Sequence, residues 1–371
     1  MKVVQVGKFY PPEYVGGLES VVVGINDELV RRGVGVTAVV AAVRGKGRTE
    51  TFRGVEVVRT PTVVTLFSQP VAPGFAAAVK AAPGDVVHLH HPNPLGDVAV
   101  LGDPRPLVIT QHSDIVRQRL LRPLYGPVLR QVFAKARRIA VGSAQLLASS
   151  SELKGFEDKT RVIPFGIDNS RFAATPHVTA RADALRKRWG GGPLILAVGR
   201  LVGYKGFDVL IEAARGLAGS LVLVGTGPEE SRLKGLAGPH VIFAGRLGDE
   251  DLVAAYHACD VFCLPSVSSA EAFGMVLLEA MACGKPLVTT ALPTGVSAVN
   301  REGETGLVVR PGDVGELREA LQALLADDAR AEAMGAKGRS VQETEYTAEL
   351  MGQRYLALYE EAVSGGAMLK A

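Results

Sequence analysis

The sequence predicts an α/β protein built from two doubly wound, Rossmann-like domains. Its 371 residues are enough for two domains that each bury a core of their own. Short apolar runs alternate with helical stretches along the chain, a pattern typical of βαβ units and parallel sheets. Much of the glycine, 43 residues in all, directly follows those runs, where α/β proteins turn from strand to helix.

The predicted strands form two series, separated by a stretch of weak apolar periodicity at residues 168–192. We therefore expect an N-terminal domain over residues 1–175 and a C-terminal domain over residues 176–347. A long helical stretch, Glu316–Ala326 and then Asp328–Ala362, closes the chain. Strands are expected at Lys2–Val6, Gly35–Ala41, Val55–Arg59, Val86–His90, Leu107–Thr110, Arg138–Val141, Arg161–Pro164, Leu194–Val198, Ser220–Val224, Val241–Phe243, Val261–Leu264, Pro286–Thr289 and Gly306–Val309.

The composition is that of a folded globular protein, with 47% hydrophobic and 21% charged residues. The three cysteines are an odd number without framework spacing, which favours a reduced, cytosolic protein over a disulfide scaffold or a zinc site. The first residues lack the apolar segment of a signal peptide, and no run approaches the ~18 residues of a membrane span. We therefore expect a cytoplasmic protein, soluble or at most peripheral to the inner face of the plasma membrane.

The net charge of +3 is unevenly divided. Residues 1–175 hold 22 Lys/Arg and 14 Asp/Glu, whereas the remainder holds 19 and 24. The N-terminal half should therefore prefer an anionic partner.

The clearest motif spans residues 269–284 and follows the predicted strand Val261–Leu264. It should open a helix near Gly274, and the free N–H groups of Phe273, Gly274 and Met275 would then form an anion site at the helix N-terminus. Ordinary packing of an amphipathic helix would explain the same pattern.

Two glutamates of this motif, Glu271 and Glu279, are eight residues apart. On one helix they would be separated by roughly 12 Å. That is too far for two carboxylates acting on one bond, at roughly 5–9 Å. The spacing suits contacts with two distant hydroxyl-bearing parts of one elongated ligand, although solvent-exposed glutamates would show it equally well.

Two cations follow the predicted strand Leu194–Val198. Arg200 leaves its carboxyl end, and Lys205 lies in the next glycine-rich turn. Ligands of open α/β sheets bind at such strand ends, and two cations there could neutralise a diphosphate. Two ordinary surface cations are the alternative interpretation.

A glycine pair, Gly16-Gly17, lies between the first strand and the first helix. Two glycines let the backbone approach a phosphate closely. The segment lacks G-x-G-x-x-G, and Gly225-Thr226-Gly227 lacks the third glycine, so a nicotinamide dehydrogenase is poorly supported.

Together these motifs resemble those of the retaining glycosyltransferases of family 4, which have the GT-B fold. The motifs are a G-G-x-E loop, a V-G-R-L…K-G pair, G-x-G-P, and E-A-F-G…E, and they occur in family order over nearly the whole chain. The resemblance implies two Rossmann-like domains facing each other across a cleft. It also implies that a terminal helix, within residues 348–371, packs back on the first domain.

The resemblance also implies residue roles. Glu279 would bind the ribose hydroxyls of a nucleotide sugar, Glu271 would lie near the donor sugar, and Arg200 with Lys205 would bind the diphosphate. Gly16 and Gly17 would contact the diphosphate, and Phe273, Gly274 and Met275 would contact the phosphate. The loop Gly245-Arg246-Leu247 would surround the nucleobase. His112 would contact the donor sugar or take part in catalysis.

One loop departs from the family pattern. Many members have a glycine pair and a glutamate after the Glu279 helix, whereas this chain has Leu292-Pro293-Thr294-Gly295-Val296-Ser297, which leaves the donor contacts of the loop open. This variant, with His112-Ser113-Asp114 and the Gly7-Lys8-Phe9-Tyr10 opening, looks similar to bacterial mannosyl- and rhamnosyltransferases of surface-polysaccharide assembly. GDP-mannose is therefore the first expected donor.

Two clusters of acidic or histidine residues resemble metal-binding motifs in sequence. Asp249-Glu250-Asp251 precedes an apolar helical run, so Asp249 is predicted to be a helix N-cap. His88, His90 and His91 lie on a predicted strand, whose alternation sends neighbouring residues to opposite faces. We expect no metal and no cofactor besides the donor substrate, and we take His90 and His91 as candidates for the acceptor side of the cleft.

The stretch from Arg117 to Arg138 carries seven basic residues and no acidic one. Apolar residues run between them at near-helical spacing, which suits contact with anionic lipid or a polyprenyl-diphosphate acceptor. Arg117, Arg119 and Arg122 are the leading candidates. A core-facing helix with a solvated basic face would give the same pattern.

The predicted function is therefore transfer of a hexose from a nucleotide sugar to a glycan or lipid-linked acceptor, with no nucleic-acid partner. No residue is a convincing enzymic nucleophile, so retention rests on the resemblance alone. The alternatives are a nucleotide-sugar epimerase of the same architecture and a non-catalytic protein that binds a nucleotide sugar.

Overall fold

The structure, a computed structural model, describes residues 1–14, 16–66, 69–115 and 122–365, with side chains throughout except at 122–124. The chain divides into two compact units. Unit 1 consists of Met1–Gly166 and Ala348–Ala371, and unit 2 of Ile167–Thr347.

Unit 1 is a Rossmann-like sheet flanked by helices. Over its described residues the strand order is β10-β9-β8-β7-β1-β2-β4-β3, parallel except for β3. Its strands are β1 (Lys2–Val6), β2 (Gly35–Ala41), β3 (Arg48–Phe52), β4 (Val55–Thr60), β5 (Val64–Leu66), β6 (Gln69–Val71), β7 (Val86–His91), β8 (Leu107–Gln111), β9 (Arg138–Val141) and β10 (Thr160–Val162), of which β5 and β6 form a separate hairpin. Its helices are α1 (Gly17–Arg31), α2 (Phe75–Ala81), α3 (Pro94–Leu101), α4 (Arg122–Lys135), α5 (Ala144–Ser149) and the C-terminal α14 (Ala348–Val363).

Unit 2 is a second doubly wound sheet. Its described strands are all parallel, in the order β13-β12-β11-β14-β15-β16. The strands are β11 (Leu194–Val198), β12 (Ser220–Val224), β13 (Val241–Gly245), β14 (Val261–Leu264), β15 (Leu287–Thr290) and β16 (Gly306–Val309). The helices are α6 (Pro176–Arg188), α7 (Phe207–Ala213), α8 (Glu230–Leu236), α9 (Asp249–Ala258), α10 (Met275–Ala282), α11 (Gly295–Val299), α12 (Val314–Leu325) and α13 (Asp328–Glu345).

The cores explain why the sheet strands are apolar. Strands such as β7 and β14 are buried along their whole length, because helices cover both faces of a doubly wound sheet. In each sheet the strand order reverses beside the first strand, between β1 and β7 in unit 1 and between β11 and β14 in unit 2. Ligands of such sheets bind at the carboxyl ends of the strands flanking this reversal.

The helix α14 packs on unit 1. A Cβ on Gly352 would lie 2.3 Å from Cβ of Glu28 in α1, so glycine permits this close approach. Tyr355 and Tyr359 are fully buried, and they hydrogen-bond to side chains of the unit 1 sheet.

Several sequence-based bounds need correction. The predicted helical stretch from Asp328 to Ala362 is two helices, α13 and α14, interrupted at residues 346–347. The first unit boundary falls at Gly166–Ile167 and not near residue 175, because Ile167 pairs with Thr347 at the other end of unit 2. Asp249 is the first residue of α9 rather than its N-cap, which is Gly248.

Candidate functional site

The candidate donor site of unit 2 is built from loops at the carboxyl ends of neighbouring strands. Arg200 and Lys205 follow β11, residues 265–274 follow β14, and the Gly245-Arg246-Leu247 loop begins at the end of β13. Because the strands are parallel, all three loops lie at one edge of the sheet. The fold thus brings together the residues of unit 2 that the motifs single out.

Lys205 and Glu271 form an ion pair at this edge. Lys205 Nζ lies 2.5 Å from Glu271 Oε2, and each side chain is 10% exposed. Burial alone would lower the pKa of Lys205, but the Glu271 carboxylate raises it above its ordinary value. The hydroxyl of Ser266, itself fully buried, donates to Glu271 Oε2 at 3.3 Å. The site therefore holds a charged lysine against a fixed carboxylate.

Arg200 behaves differently from Lys205. It is exposed, and no ion pair or hydrogen bond of its side chain is recorded among the residues that the structure describes. The two cations that the motif groups together are therefore one buried, paired charge and one solvent-facing charge. Arg246 is exposed as well, and Leu247 is half-buried.

The helix α10 begins where the motif predicted. Its N-cap is Gly274, with φ +81°, a left-handed conformation that glycine adopts without strain. Among the described residues, no side chain caps this terminus, so its first amides are not engaged by a side chain. Phe273 is 4% exposed, and Met275 is the first helical residue. This arrangement agrees with an anion site at the start of α10.

The two glutamates of the motif do not share a helix. Glu271 precedes α10, and only Glu279 lies on it, so the 12 Å helical spacing expected between them does not apply. Glu279 accepts a hydrogen bond from the hydroxyl of Tyr256 at 2.6 Å. Burial raises the pKa of Glu279, against the lowering effect of the Tyr256 hydrogen bond. Each glutamate thus has its own fixed partner.

The loop that departs from the family pattern packs on the start of α10. The N–H of Gly295 donates to the carbonyl of Ala272 at 2.8 Å, and a Cβ on Gly295 would lie 2.5 Å from the Phe273 ring. The hydroxyl of Thr294 is buried and has no hydrogen-bond partner in the part of the chain that the structure describes. The Gly295 amide is therefore engaged within the protein, whereas the Thr294 hydroxyl has no partner among the described residues.

In unit 1, the glycine pair forms the start of α1. Gly16 is its N-cap and Gly17 its first residue. The side chain of Glu19, two residues after Gly17, folds back over Gly16. A Cβ on Gly16 would lie 2.7 Å from Glu19 Oε2. Burial raises the pKa of Glu19 to about 7, opposed by the nearby charge of Lys8. Glu19 is the glutamate of the G-G-x-E motif, but the motif alone does not indicate that its carboxylate is buried.

His112 follows β8 at the carboxyl edge of the unit 1 sheet, 6% exposed. Burial lowers its pKa to about 3, so the imidazole is neutral. Its Nε2 lies 3.1 Å from Nδ1 of His90, and its ring contacts that of Phe165. His112 is therefore held by internal contacts at the end of a strand.

His90 and His91 do not line a surface, which contradicts their assignment to the acceptor side. They are 1% and 0% exposed. As strand alternation predicts, they face opposite ways: the His90 ring contacts that of His88, whereas His91 contacts Asp97 Oδ1 at 3.0 Å and the Phe133 ring. Although burial acts to lower the pKa of His91, Asp97 and Glu152 raise it to about 9.

In the basic stretch from Arg117 to Arg138, several described side chains bind other parts of unit 1. Lys135 donates to the carbonyls of Val100, Leu101 and Asp103 at the end of α3. Arg137 and Arg138 bind the last turn of α14, through Ala362 O and Glu361. The side chains of these three cations are therefore engaged within unit 1 and are not candidates for contact with lipid. Arg117 and Arg119 lie outside the described residues, as does the side chain of Arg122.

Two family models match the chain. Residues 15–171 match the family described as Glycosyltransferase Family 4, and residues 184–341 match the one described as Glycosyl transferases group 1. The first match falls largely in unit 1 and the second within unit 2.

Curated relatives match over most of the chain. D-rhamnosyltransferase WbpZ of Pseudomonas aeruginosa is 34% identical, covering 90% of this chain and 89% of that protein. O-antigen chain mannosyltransferase C of Escherichia coli is 31% identical over 97% and 98% of the two chains. A GDP-mannose-dependent alpha-(1-6)-phosphatidylinositol monomannoside mannosyltransferase of Mycolicibacterium smegmatis is 31% identical over 89% and 91%.

Solved structures share the architecture. Sucrose-phosphate synthase from Thermosynechococcus elongatus superposes with a TM-score of 0.80 and 23% identity, over 98% of this chain and 99% of that chain. The likeness shows the GT-B fold class. Among the described helices, none has both the length and the apolar character needed to cross a membrane.

Proposed function

Since the chain belongs to the glycosyltransferases, with a family 4 domain followed by a group 1 domain, we propose that it transfers a hexose from a nucleotide sugar to a glycan or lipid-linked acceptor of a surface polysaccharide or glycolipid. The observation that carries this proposal is the Lys205–Glu271 pair beside the uncapped start of α10. Each relative named above is a transferase, which argues against an epimerase and a silent binder.

In this proposal unit 2 binds the donor. Lys205, Arg200 and the first amides of α10 at Phe273, Gly274 and Met275 neutralise the diphosphate. Their charge stabilises the leaving nucleoside diphosphate as its bond to the sugar breaks. Gly16 and Gly17 at the start of α1 contribute further amides to the diphosphate.

The carboxylates select the hydroxyl groups of the donor. Glu279 accepts from the ribose hydroxyls, and its orientation is fixed by the Tyr256 hydroxyl. Glu271 accepts from a hydroxyl of the sugar while Lys205 holds it in place. The Gly245-Arg246-Leu247 loop borders the nucleobase, and His112 in unit 1 contacts the sugar.

Mannose from GDP-mannose is the first donor in this proposal. Mannosyltransferases are among the relatives, and the one from Mycolicibacterium smegmatis is GDP-mannose-dependent. A rhamnosyltransferase relative makes a deoxyhexose the second choice. Retention of the anomeric configuration is proposed on the family resemblance.

The proposed acceptor is a glycan or a polyprenyl-diphosphate-linked sugar, bound by unit 1. Peripheral association with anionic membrane through Arg117, Arg119 and Arg122 belongs to the same proposal. Vesicles containing anionic lipid should bind the protein at low salt and release it at ~0.5 M salt, because screening weakens such contacts. Binding that is unchanged at high salt contradicts this part of the proposal.

The donor is tested by calorimetric binding of GDP, UDP, ADP and dTDP in the presence of EDTA. We expect GDP to bind most tightly, followed by release of GDP from GDP-mannose when a lipid-linked acceptor is added. Preference for another nucleotide would overturn the donor assignment alone. Absence of binding by all four nucleotides would overturn the unit 2 site.

A further inference from the structure

A chain of hydrogen bonds lies beneath the His112 imidazole in unit 1. It runs across three neighbouring strands, from Gln5 in β1 through His90 in β7 to His112 after β8. Gln5 Oε1 lies 2.9 Å from His90 Nε2, and His90 Nδ1 lies 3.1 Å from His112 Nε2. Gln5 and His90 are 1% exposed and His112 is 6% exposed. Water therefore has little access to these groups.

The orientation of the Gln5 carboxamide gives the chain a direction. Its nitrogen faces the hydroxyl of Tyr359, at 3.4 Å, so its oxygen faces His90. A carboxamide oxygen accepts hydrogen bonds and cannot donate them. His90 must therefore carry its proton on Nε2 and donate it to Gln5.

Both imidazoles are neutral, since burial lowers the pKa of His112 to about 3 and that of His90 well below its ordinary value. A neutral imidazole has one N–H and one acceptor nitrogen. With its proton on Nε2, His90 presents Nδ1 as an acceptor, and His112 must donate from Nε2. His112 Nδ1 is then left as a lone pair, and no hydrogen bond to it is recorded among the described residues.

We propose that Gln5 and His90 are positioning residues that hold His112 in the Nε2–H tautomer, so that Nδ1 accepts a hydrogen bond from a sugar hydroxyl. The tautomer is a property of the protein itself, whereas its use rests on the proposed function, which brings His112 to the sugar. Hydrogen bonds at the second nitrogen commonly fix the working nitrogen of a histidine in this way.

A second branch of the network starts from the same carboxamide. The Tyr359 hydroxyl, which accepts from Gln5, lies 2.7 Å from His88 Nδ1. His88 Nε2 lies 2.7 Å from the Thr110 hydroxyl oxygen, and that hydroxyl contacts Tyr355 OH at 2.9 Å. Among the described residues, Tyr355 has no hydrogen bond to Gln5, His90 or His112, so removal of its hydroxyl provides a matched control.

The test is a long-range ¹H–¹⁵N correlation spectrum of the histidine-labelled full-length protein. In the wild type, His112 should show a protonated Nε2 and an unprotonated Nδ1. Gln5→Met removes the acceptor for His90 and should give a mixture of His112 tautomers. Tyr355→Phe, at the end of the other branch, should leave the His112 tautomer unchanged.

A wild-type His112 protonated on Nδ1 would overturn the inference, and this result needs no variant to fold. A pure Nε2–H tautomer in folded Gln5→Met would overturn it as well. In the transfer assay, Gln5→Met should lower the rate at saturating donor about fivefold to tenfold, with nucleotide affinity unchanged. If Gln5→Met shows the expected spectra but transfers sugar at the wild-type rate, the tautomer has no role in transfer. The proposed function is judged independently, by nucleotide binding.

Discussion

A Cβ on Gly206 would lie 2.2 Å from the carbonyl oxygen of Pro265. Gly206 also has φ +67°, a conformation that side chains disfavour. It lies between Lys205 and α7, and Pro265 directly follows β14, so this contact holds together the two loops that carry Lys205 and Glu271. The close packing of backbone on backbone is thus part of how the site is built.

Gly206→Ala should therefore destabilise the protein by about 2–4 kcal/mol, because the clash with a carbonyl adds to the backbone strain. Urea unfolding measures the effect. Gly203→Ala is the matched control in the same turn, since a Cβ there meets no atom of the described residues within 4 Å. Equal free energies of unfolding for the two variants would show that the loops can move apart to accommodate the Cβ without loss of stability.

Lys205→Met should weaken nucleoside diphosphate binding roughly 10- to 100-fold, because the charged hydrogen bond that we propose between Lys205 and the phosphate is lost. It should also lower the free energy of unfolding by about 3 kcal/mol, since Glu271 is left buried without its cation. The double variant Lys205→Met/Glu271→Gln should recover stability but not affinity. Calorimetry and urea unfolding separate the two effects, and affinity equal to that of the wild type would contradict the role of Lys205.

Glu279→Gln should weaken GDP binding about tenfold, while the amide oxygen still accepts from Tyr256. The loss should disappear with 2′,3′-dideoxy-GDP, because we propose that the Glu279 carboxylate binds the ribose hydroxyls. Binding of both nucleotides by wild type and variant, measured by calorimetry, gives the comparison. An equal loss for both nucleotides would show that Glu279 does not read the ribose.

His91 should make stability fall in alkaline solution. Its pKa is raised to about 9 by Asp97 and Glu152, from an ordinary value of 6.5. A raised folded-state pKa contributes stability that is complete below about pH 6.5 and is lost as the pH rises through 9, at about 1.4 kcal/mol per unit of pKa shift.

Unfolding free energies of wild type and His91→Gln should therefore converge between pH 6.5 and 9.5. His177→Gln is the control, because His177 is exposed. A constant difference between wild type and His91→Gln over this range would mean that His91 is not protonated in the folded protein.

The parallel strands could be predicted because burial on both faces makes them continuously apolar. β3 and the β5–β6 hairpin were missed for the opposite reason: β3 is largely exposed and polar, and β5 is exposed along its length. The break between α13 and α14 falls at Tyr346-Thr347, where neither glycine nor proline interrupts the helical pattern.

The motifs identified Lys205, Glu271 and Glu279, because glycine-rich loops after strands indicate where ligands bind. They did not identify the role of Gln5, whose partner Tyr359 lies 354 positions along the chain. A buried polar pair at such separation leaves no local pattern. The burial of His90 and His91 was missed likewise, since a histidine at a strand end looks the same whether a helix covers it or not.

The return of α14 to unit 1 has a consequence for biosynthesis. The ribosome finishes every strand of the unit 1 sheet, and the whole of unit 2, before Tyr355 and Tyr359 exist to meet Gln5 and His88. The domain that is translated first is therefore the one completed last. Until α14 has been synthesised, polar groups in the core of unit 1 lack their partners on that helix. A chain stopped before residue 348 never acquires those partners.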